Sequence, residues 1–484
     1  MSDEQTTPAT QPGDASAEPP PSADGTTTLL ILGASGDLTG RLLLPGLGSL
    51  LAVETGSHVR VVGADRVDMS QQEWVQTVTT AFASVDAPAE IIEAACADTE
   101  YVKVDLLEPD QLDALLTKVG DPVVLYFALP PAISVSVCQL LEQRGVSDQT
   151  RLALEKPFGT DLESAKALNV QLLKVVDENR IYRVDHFLGR STVLNLLGVR
   201  FANRVLQPVW SSEHIDRVVI AYDETLALEE RAGYYDKAGA LVDMIQSHLL
   251  QVLAFFAMEA PASLHEDEVR SLKAQVLRAT SVWGDDPVTA SRRARYTAGT
   301  IGERTVPDYV AEEGVDPELD TETLAEVILR IDNSRWRGTP FILRSGKALG
   351  SACKRIEVYF KPPAHVPTGL KGTDAPDCLV LELKPAEMIL SLTVNAEGDP
   401  FDLEQKELHA TLGDSRMLPY GEVLDRVLDA DPLLSIRGDV AEDSWRIVEP
   451  ILSAWRAGQV PMQEYAAGSA GPDGWGSVPG IDEG

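Results

Sequence analysis

Four short apolar runs in the first third of the chain predict buried β-strands, at residues 28–32, 58–63, 121–128 and 151–154. Helical patterns separate these runs, and the first of them extends from residue 39 to about residue 53. Strands that are apolar throughout and alternate with helices are typical of a parallel sheet covered on both faces. The N-terminal part is therefore predicted to be an α/β domain.

The second half of the chain has a different pattern. Its strand candidates follow one another with few helices between the later ones, at 216–222, 323–331, 355–360, 378–383 and 388–394. This order favours a larger α+β domain with a mainly antiparallel sheet covered by helices. One helix, at 241–256, is so apolar that we expect it to be buried on most sides.

Composition and charge narrow the function classes. The 484 residues correspond to about three domains, or two large ones, at ~150 residues per domain. The net charge of −34 argues against nucleic-acid binding and against binding at a membrane surface, because both surfaces are anionic. An anionic small substrate would need a local cluster of Lys, Arg and His.

The cysteines and the chain ends add further limits. Cys96, Cys138, Cys353 and Cys378 form no CxxC pair, so neither a disulfide framework nor a metal site is predicted. A reducing cytoplasm fits this usage best. We find no window of about 18 apolar residues and no signal peptide, so no membrane span is expected.

A glycine turn follows the first predicted strand. Gly33 and Gly36, between a strand and a helix, form the layout that places a phosphate on a helix N-terminus. The spacing is a loose G-x-x-G, which an ordinary strand–helix turn shares about as often. After the second strand, Asp65 could bind a ribose 2′-hydroxyl and Arg66 a 2′-phosphate; a solvated loop is the alternative.

These patterns give the predicted domain organisation. The tail at 1–26 has almost no large apolar side chain and is expected to be a disordered leader. An α/β domain at 27–184 and a larger α+β domain at 185–484 follow. The Gly- and Pro-rich end, at 470–484, is expected to be flexible.

Several charged side chains could carry chemistry. Lys156 follows a strand, and Asp185 and His186 adjoin one another in a segment rich in ionisable groups. Asp243 and His248 lie in the apolar helix, where burial is costly unless they are paired or functional. At about 100° per residue they would lie about 140° apart, flanking one cleft without stacking. The alternatives remain open: Lys156 could be a surface lysine, Asp185 and His186 could lie in a surface loop, and His248 could be a core histidine with its hydrogen bonds satisfied.

Together, eight segments resemble the glucose-6-phosphate dehydrogenase family. In chain order they are GASGDL (33–38), FALPP (127–131), EKPFG (155–159), RVDHFLG (183–189), RFANR (200–204), QSHLLQ (246–251), PFILRSGKAL (340–349) and SWRIVEPIL (444–452). The match extends from about residue 30 to residue 472. Their order and spacing make the resemblance highly specific.

The resemblance implies a reaction of the pentose phosphate pathway, in which glucose 6-phosphate is oxidised at C1 to a 6-phospho-lactone and hydride passes to NADP. NAD is the second choice. It implies that His248 is the general base and that Asp185 orients it. The implied sugar-phosphate contacts are Lys156, His186, Arg190, Glu224, Asp243 and Lys347. The implied coenzyme contacts are Gly33, Ser35, Gly36, Asp37, Leu38, Arg66, Ala128, Pro130 and Lys156. The resemblance also implies that 27–184 is a Rossmann-like dinucleotide-binding domain, that 185–484 is a substrate-binding domain, and that the protein is a homodimer or homotetramer.

Two departures from the family concern the phosphate. The family usually has Tyr where Phe187 stands, and a phenyl ring cannot donate a hydrogen bond. It usually has Lys where Arg190 stands, and the planar guanidinium binds phosphate with a different geometry.

Other departures are smaller. Only Arg41 remains of a Lys-rich stretch after the glycine turn, and Ser247 replaces the usual Asn before the base. The basic residue expected after Lys347 has no clear counterpart before Lys354 and Arg355. These changes affect affinity and sugar choice more than the reaction type, so a dehydrogenase for another aldose or aldose phosphate is a second hypothesis. A regulatory nucleotide-binding paralogue with little turnover is the third.

Overall fold

The computed structural model describes residues 26–54, 58–229, 232–372 and 375–475. The predicted leader therefore lies outside the described residues except for Thr26. Of the predicted flexible end, residues 476–484 lie outside them as well.

A seven-stranded sheet forms the core of the N-terminal part. Its strand order is β18-β6-β5-β4-β1-β2-β3, and all neighbouring pairs are parallel except β18 with β6. The N-terminal strands are β1 (Thr27–Leu32), β2 (Val59–Asp65), β3 (Glu100–Lys103), β4 (Val123–Phe127), β5 (Thr150–Glu155) and β6 (Ile181–Val184). The central strands are buried along almost their whole length, because helices cover both faces of a parallel sheet.

Helices connect these strands in the order that the sequence pattern predicts. They are α1 (Leu44–Val53), α2 (Gln71–Ala83), α3 (Ala89–Asp98), α4 (Pro109–Val119), α5 (Pro131–Arg144) and α6 (Leu162–Leu173). A short π-helix, Thr39–Leu43, precedes α1 and joins it to the glycine turn. The carboxyl ends of the parallel strands meet at one edge, which is where ligands bind in folds of this type.

A larger sheet of ten strands forms the C-terminal part. Its main path is β17-β16-β15-β14-β7-β13-β12-β9-β19, and β8 pairs with β12. Most neighbours are antiparallel, but β13 with β7 and β19 with β9 are parallel. The strands of this path and its branch are β7 (Ile215–Asp223), β8 (Thr280–Val282), β9 (Ser291–Thr297), β12 (Leu324–Ile331), β13 (Phe341–Gly346), β14 (Cys353–Phe360), β15 (Cys378–Leu383), β16 (Ala386–Asn395), β17 (Leu403–Thr411) and β19 (Met462–Ala466).

The remaining elements complete the C-terminal part. They are the hairpin β10 (Gly299–Ile301) and β11 (Arg304–Val306), the strand β18 (Ser435–Ile436), and the helices α7 (Ser191–Phe201), α8 (Ala232–Ala240), α9 (Leu250–Ala257), α10 (Glu266–Ala279), α11 (Pro419–Leu428) and α12 (Gly438–Arg456). A nine-residue π-helix, Leu241–Leu249, lies between α8 and α9. The predicted combination of an α/β part with a mainly antiparallel α+β part is confirmed.

The two parts of the chain are interleaved. Strand β18 returns to the N-terminal sheet and pairs with β6, and α11 packs across α1. A Cβ atom on Gly46 would lie 2.5 Å from the Cβ atom of Tyr420, so the two helices approach closely only because residue 46 is glycine. This contact carries Tyr420 towards the carboxyl edge of the first sheet.

The expectation that no apolar window reaches membrane-spanning length is wrong. Within the described residues, the helical stretch Ala232–Ala257 has the length and hydropathy of a membrane-spanning helix, but 78% of its most apolar window is buried inside the fold. A buried core helix meets the same criteria, and the predicted burial of residues 241–256 explains this apolar character.

Candidate active site

The glycine turn lies at the carboxyl end of β1. Gly33 has φ = +87°, a conformation that L-residues with a side chain rarely adopt. A Cβ atom there would lie 2.4 Å from the carbonyl oxygen of Ala128, so the turn and the end of β4 are in close contact. This open backbone before a helix N-terminus fits a bound pyrophosphate. Gly36, Asp37 and Leu38 complete the turn into that helix.

Asp65 and Arg66 follow β2 and lie beside the turn. Asp65 accepts hydrogen bonds from Ser35, at 3.1 Å from the backbone nitrogen and 2.7 Å from Oγ, and one from the backbone nitrogen of Arg66 at 2.6 Å. The Arg66 side chain is exposed. The carboxylate is thus engaged with the protein, whereas the guanidinium extends into solvent.

The ends of β4 and β5 form the opposite side of this edge. Ala128 and Leu129 are partly buried, and Pro130 precedes α5. Lys156 follows β5 and points away from the sheet towards the π-helix Leu241–Leu249, where its Nζ atom contacts Asp243. Lys156 therefore joins the coenzyme edge to the C-terminal part.

Asp185 and His248, which we call the dyad, are hydrogen-bonded across a sequence separation of 63 residues. The Oδ1 atom of Asp185 lies 2.5 Å from Nδ1 of His248, and both side chains are 2% exposed. Oδ1 also accepts a bond from the backbone nitrogen of Phe187 at 2.9 Å. Because Asp185 engages Nδ1–H, the second ring nitrogen, Nε2, is left as an acceptor.

Electrostatics favour a neutral histidine and an ionised aspartate. Burial lowers the pKa of His248 below its ordinary value, although Asp185 opposes this effect. Burial acts to raise the pKa of Asp185, but the interaction with His248 holds that pKa well below its usual range. A neutral imidazole with a free lone pair is what a general base requires.

Lys156 bonds to the nitrogen that would accept the proton. Its Nζ atom lies 2.7 Å from Nε2 of His248 and 3.0 Å from both the carbonyl oxygen and Oδ1 of Asp243. Asp243 raises the pKa of Lys156 against the opposing effect of burial, so Lys156 is an ammonium ion. Burial acts to raise the pKa of Asp243, yet Lys156 lowers it to about 2.

The prediction that Asp243 and His248 flank one site assumes α-helical geometry, with about 140° between them. Residues 241–249 instead form a π-helix with i→i+5 hydrogen bonds, so the angle between the two positions is smaller than predicted. Both side chains contact Lys156, as flanking positions would.

Glu224 is the centre of a second polar group. Its carboxylate accepts bonds from Lys347 at 3.0 Å and from Lys354 at 3.4 Å. Burial acts to raise the pKa of Glu224, but Lys347 and Lys354 lower it. The basic residue without a clear counterpart in the sequence is therefore Lys354, because Arg355 instead pairs with Glu357 and Glu382.

Three side chains between the dyad and this group form what we call the anion pocket: Phe187, Arg190 and Tyr222. The guanidinium of Arg190 lies 4.4 Å from the ring centroid of Phe187 and 5.7 Å from that of Tyr222. The Phe187 ring in turn stacks on His248, with centroids 4.1 Å apart. Among the described residues, the buried Nε atom of Arg190 has no hydrogen-bond partner, so this cation is available to an anion.

His186 lies against the dyad and against α11. Its ring stacks on Tyr420 at 5.6 Å and meets His248 edge-on at 4.9 Å. Burial, reinforced by His248, holds the pKa of His186 well below its ordinary value. His186 is therefore neutral and contributes hydrogen-bonding capacity rather than charge.

The ligand atoms of Asp185, His186 and His248 lie within 4.8 Å of one another, close enough to hold a metal ion. Asp185 and His248 are hydrogen-bonded to each other, and Nε2 of His248 contacts the ammonium group of Lys156. That positive charge would repel a metal ion, so the arrangement fits proton transfer better than metal binding.

The structure places the sequence-predicted site residues in two groups, which we name after their predicted contacts. The coenzyme side contains the glycine turn, Arg66, Ala128 and Pro130, and the sugar side contains the dyad, His186, Arg190, Glu224, Asp243 and Lys347. Lys156 lies between them. The sequence reading missed Tyr222 and Tyr420. The sequence around these two tyrosines does not indicate a site, because the residues that the tyrosines contact are distant along the chain.

Comparison with known protein families agrees with this geometry. The family model described as "Glucose-6-phosphate dehydrogenase, NAD binding domain" matches residues 30–195, and that described as "Glucose-6-phosphate dehydrogenase, C-terminal domain" matches residues 197–478. Together they span nearly all of the described chain.

Individual relatives give the same result. Glucose-6-phosphate 1-dehydrogenase of Gluconobacter oxydans is 40% identical over 464 residues, covering 92% of this chain and 94% of the relative. The enzyme of the same name from Mycolicibacterium smegmatis is 36% identical, with the same coverage.

Solved structures are also similar. Glucose-6-phosphate 1-dehydrogenase from Mycobacterium avium has a TM-score of 0.81 at 30% identity, covering 92% of this chain and 95% of the other. A glucose-6-phosphate dehydrogenase in complex with glucose 6-phosphate has a TM-score of 0.83 at 28% identity, covering 93% and 96%. The chain described here belongs to the glucose-6-phosphate dehydrogenase family.

Proposed function

We propose that this chain oxidises glucose 6-phosphate at C1 to 6-phospho-D-glucono-1,5-lactone, with NADP as the preferred hydride acceptor, in the pentose phosphate pathway. The observation that carries the proposal is the dyad: a buried aspartate on Nδ1 of a neutral histidine, whose Nε2 atom contacts Lys156. The names of the relatives support the substrate.

The chemistry divides between the protein and the coenzyme. His248 takes the proton of the C1 hydroxyl on Nε2 as the C1–O bond becomes a carbonyl, and Asp185 stabilises the resulting imidazolium. The nicotinamide, when bound, accepts the hydride from C1. Because Lys156 bonds to Nε2, the sugar hydroxyl must displace its ammonium group before the proton can move.

The sugar phosphate is bound by the cations on the sugar side. Arg190 binds the phosphate, because its N–H groups are free for a bidentate contact while the rings of the anion pocket hold its face. His186 assists there as a neutral donor. Asp243, Glu224 and Lys347 bind sugar hydroxyls, and Lys354 adds positive charge beside Glu224.

The preference for NADP rests on Arg66. Ser35 and the backbone of Arg66 engage Asp65, so the ribose edge presents a free guanidinium, which suits a 2′-phosphate. Arg66→Ala should raise KM for NADP about tenfold and leave KM for NAD nearly unchanged. Equal effects on both coenzymes would remove the basis for the preference.

The dyad also sets the pH dependence. Burial lowers the pKa of His248 below 6.5, so the base is already deprotonated at neutral pH. The value of kcat/KM should therefore fall only as pH decreases below the ordinary histidine range. A decline that begins well above pH 6.5 would contradict this assignment.

The test is the absorbance of reduced nicotinamide formed by purified protein with glucose 6-phosphate, with NADP and NAD in parallel and free glucose as the control. Turnover that requires the phosphate supports the proposal. Turnover of another aldose phosphate but not of glucose 6-phosphate would show that Phe187 and Arg190 have changed the substrate. No turnover with any sugar would favour a regulatory nucleotide-binding role.

We further propose a homodimer or homotetramer in the cytoplasm. Strand β17 stands at one end of the ten-stranded sheet, and Leu408 on it is 58% exposed; such an edge favours pairing with a second copy. All four cysteines are free, which suits a reducing compartment. Light scattering of the eluted protein measures the assembly directly.

A further inference from the structure

The ring of Tyr222 contacts two cations, Arg190 and Lys354. The guanidinium of Arg190 lies 5.7 Å from the ring centroid, and the Nζ atom of Lys354 lies 4.4 Å from it. An aromatic face attracts a cation without consuming its N–H groups. One ring therefore brings two positive charges to the anion pocket and leaves the hydrogen-bond donors of Arg190 available.

The strand register explains why Tyr222 and Lys354 meet. Tyr222 on β7 is the cross-strand partner of Lys354 on β14, so both side chains project from the same face of the sheet. The next pair on that face, Ile220 and Ile356, is completely buried. Tyr222 is the last residue but one of β7, so it stands where this buried face ends.

The hydroxyl of Tyr222 is a donor that the protein does not use. The residue is only 4% exposed. Its hydroxyl has no hydrogen-bond partner among the described residues, yet it is not among the enclosed polar atoms that lack one, unlike the hydroxyls of Tyr182 and Tyr235. The oxygen is therefore open to solvent and to a ligand, and a phenolic O–H can donate to a phosphate oxygen.

Phe187 lacks such a donor and lies against the same ring. The centroids of Phe187 and Tyr222 are 4.9 Å apart, and both rings contact the guanidinium of Arg190. An anion bound by that guanidinium therefore lies beside both aromatic positions. Of these two positions, only Tyr222 can offer the anion a hydrogen bond.

We propose that Tyr222 is a specificity-determining residue, whose ring holds Arg190 and Lys354 at one anion and whose hydroxyl donates to the phosphate in place of the phenol that position 187 lacks. This proposal rests on the proposed function, because it takes the anion to be the phosphate of the sugar. Two cations and one neutral donor match a phosphate monoester. A sugar with a free hydroxyl at C6 would leave both cations without an anionic partner.

Tyr222→Phe removes the hydroxyl and keeps the ring, so the two cations stay in place. We expect KM for glucose 6-phosphate to rise about tenfold, because a hydrogen bond to a charged oxygen is lost, with kcat within a few-fold of wild type. Tyr359→Phe is the matched control. Tyr359 lies further along β14 on the opposite face, and its hydroxyl donates to Glu357 at 2.9 Å, so KM should not change.

The double variant Y222F/F187Y tests whether the two ring positions serve one phosphate. If they do, adding Phe187→Tyr should recover most of the affinity that Tyr222→Phe loses. A double variant that remains as weak as Tyr222→Phe would overturn the exchange of hydroxyls between the two positions.

A binding measurement without turnover separates the role of Tyr222 from the reaction. Isothermal titration calorimetry gives the dissociation constants of glucose 6-phosphate and of inorganic phosphate for wild type, Tyr222→Phe and Tyr359→Phe. If wild type oxidises no glucose 6-phosphate, but inorganic phosphate binds more weakly to Tyr222→Phe alone, the proposed function fails and the role of Tyr222 stands.

Three results would overturn that role. One is the same KM and dissociation constants in Tyr222→Phe as in wild type. Another is an equal loss in Tyr359→Phe, because the effect would then not be local to the anion pocket. The third is a wild-type protein that binds neither glucose 6-phosphate nor inorganic phosphate.

Discussion

Asp185 of the dyad and Phe187 and Arg190 of the anion pocket lie in one short loop, yet the dyad and the pocket use their polar groups in opposite ways. Both nitrogen atoms of His248 are engaged, Nδ1 by Asp185 and Nε2 by Lys156. Arg190, in contrast, is held by the faces of Phe187 and Tyr222, a contact that uses none of its N–H groups. The catalytic half is thus organised before any ligand binds, and the binding half keeps its donors for the ligand.

The difference shows how an acidic protein can bind an anion. Carboxylates would hold Arg190 firmly but would also neutralise it, whereas aromatic faces attract the cation by about 0.5–2 kcal/mol and leave its charge available. On the other side, Asp243 pairs with Lys156, which contacts His248, and Glu224 pairs with Lys347. Mutations in the dyad should therefore lower kcat, and mutations that remove the guanidinium or the aromatic rings of the anion pocket should raise KM.

The largest effect is expected for His248→Asn. Without a base, kcat should fall by about 10³–10⁴-fold, while the dissociation constant of NADP, measured by fluorescence titration, stays near that of wild type. Activity within tenfold of wild type would show that another group takes the proton.

Asp185→Asn should have the next largest effect. The amide cannot stabilise the imidazolium and can present its NH₂ group to Nδ1, which selects the wrong tautomer, so kcat should fall by about 10²–10³-fold. Thermal melting serves as the control, because Asp185 also bonds to the backbone of Phe187. A folded variant with unchanged kcat would separate Asp185 from catalysis.

Arg190→Ala tests the other half. Losing a charge-assisted contact of about 1.5–3 kcal/mol should raise KM for glucose 6-phosphate by about 10–100-fold, with kcat within a few-fold of wild type. Arg190→Lys should recover part of the loss, because it restores the charge without the bidentate geometry. A change confined to kcat would place Arg190 in the catalytic half.

The smallest effect is expected for Phe187→Tyr. A hydroxyl at the ring edge adds a donor for the phosphate, worth about 0.5–1 kcal/mol, so KM should fall by about 2–5-fold while kcat changes little. Phe187→Leu is the matched control: it removes the ring under Arg190 and on His248 and should raise KM. If the tyrosine variant raises KM as well, the ring edge does not face the phosphate.

Local pattern predicted the strands that are buried and apolar, and missed strands of other composition. The first three runs, at 28–32, 58–63 and 121–128, correspond to β1, β2 and β4. The strand β9 is rich in arginine rather than apolar residues. Arg293 within it is paired with Asp320 at 3.0 Å. The strand β17 is mostly exposed, so it has no hydrophobic alternation to recognise.

The sequence predicted residues of the candidate site only where they lie in a recognisable motif. The glycine turn, the dyad and Lys347 lie in segments that resemble a family, so their proximity could be anticipated. Lys354 could not be assigned, because only its contact with Glu224, 130 residues away, separates it from Arg355.

The helix that carries Asp243 and His248 shows most clearly what each level decided. The sequence by itself determined that residues 241–256 form a buried helix, because their apolar content permits little else. The tertiary structure decided that its first turns are π-helical. Gly239, at φ = +66°, lies against Glu322, and Glu322 accepts the Leu241 backbone N–H at 2.9 Å. Since the carboxylate that accepts the Leu241 N–H comes from a residue 81 positions away, the i→i+5 register of these turns is invisible to local periodicity.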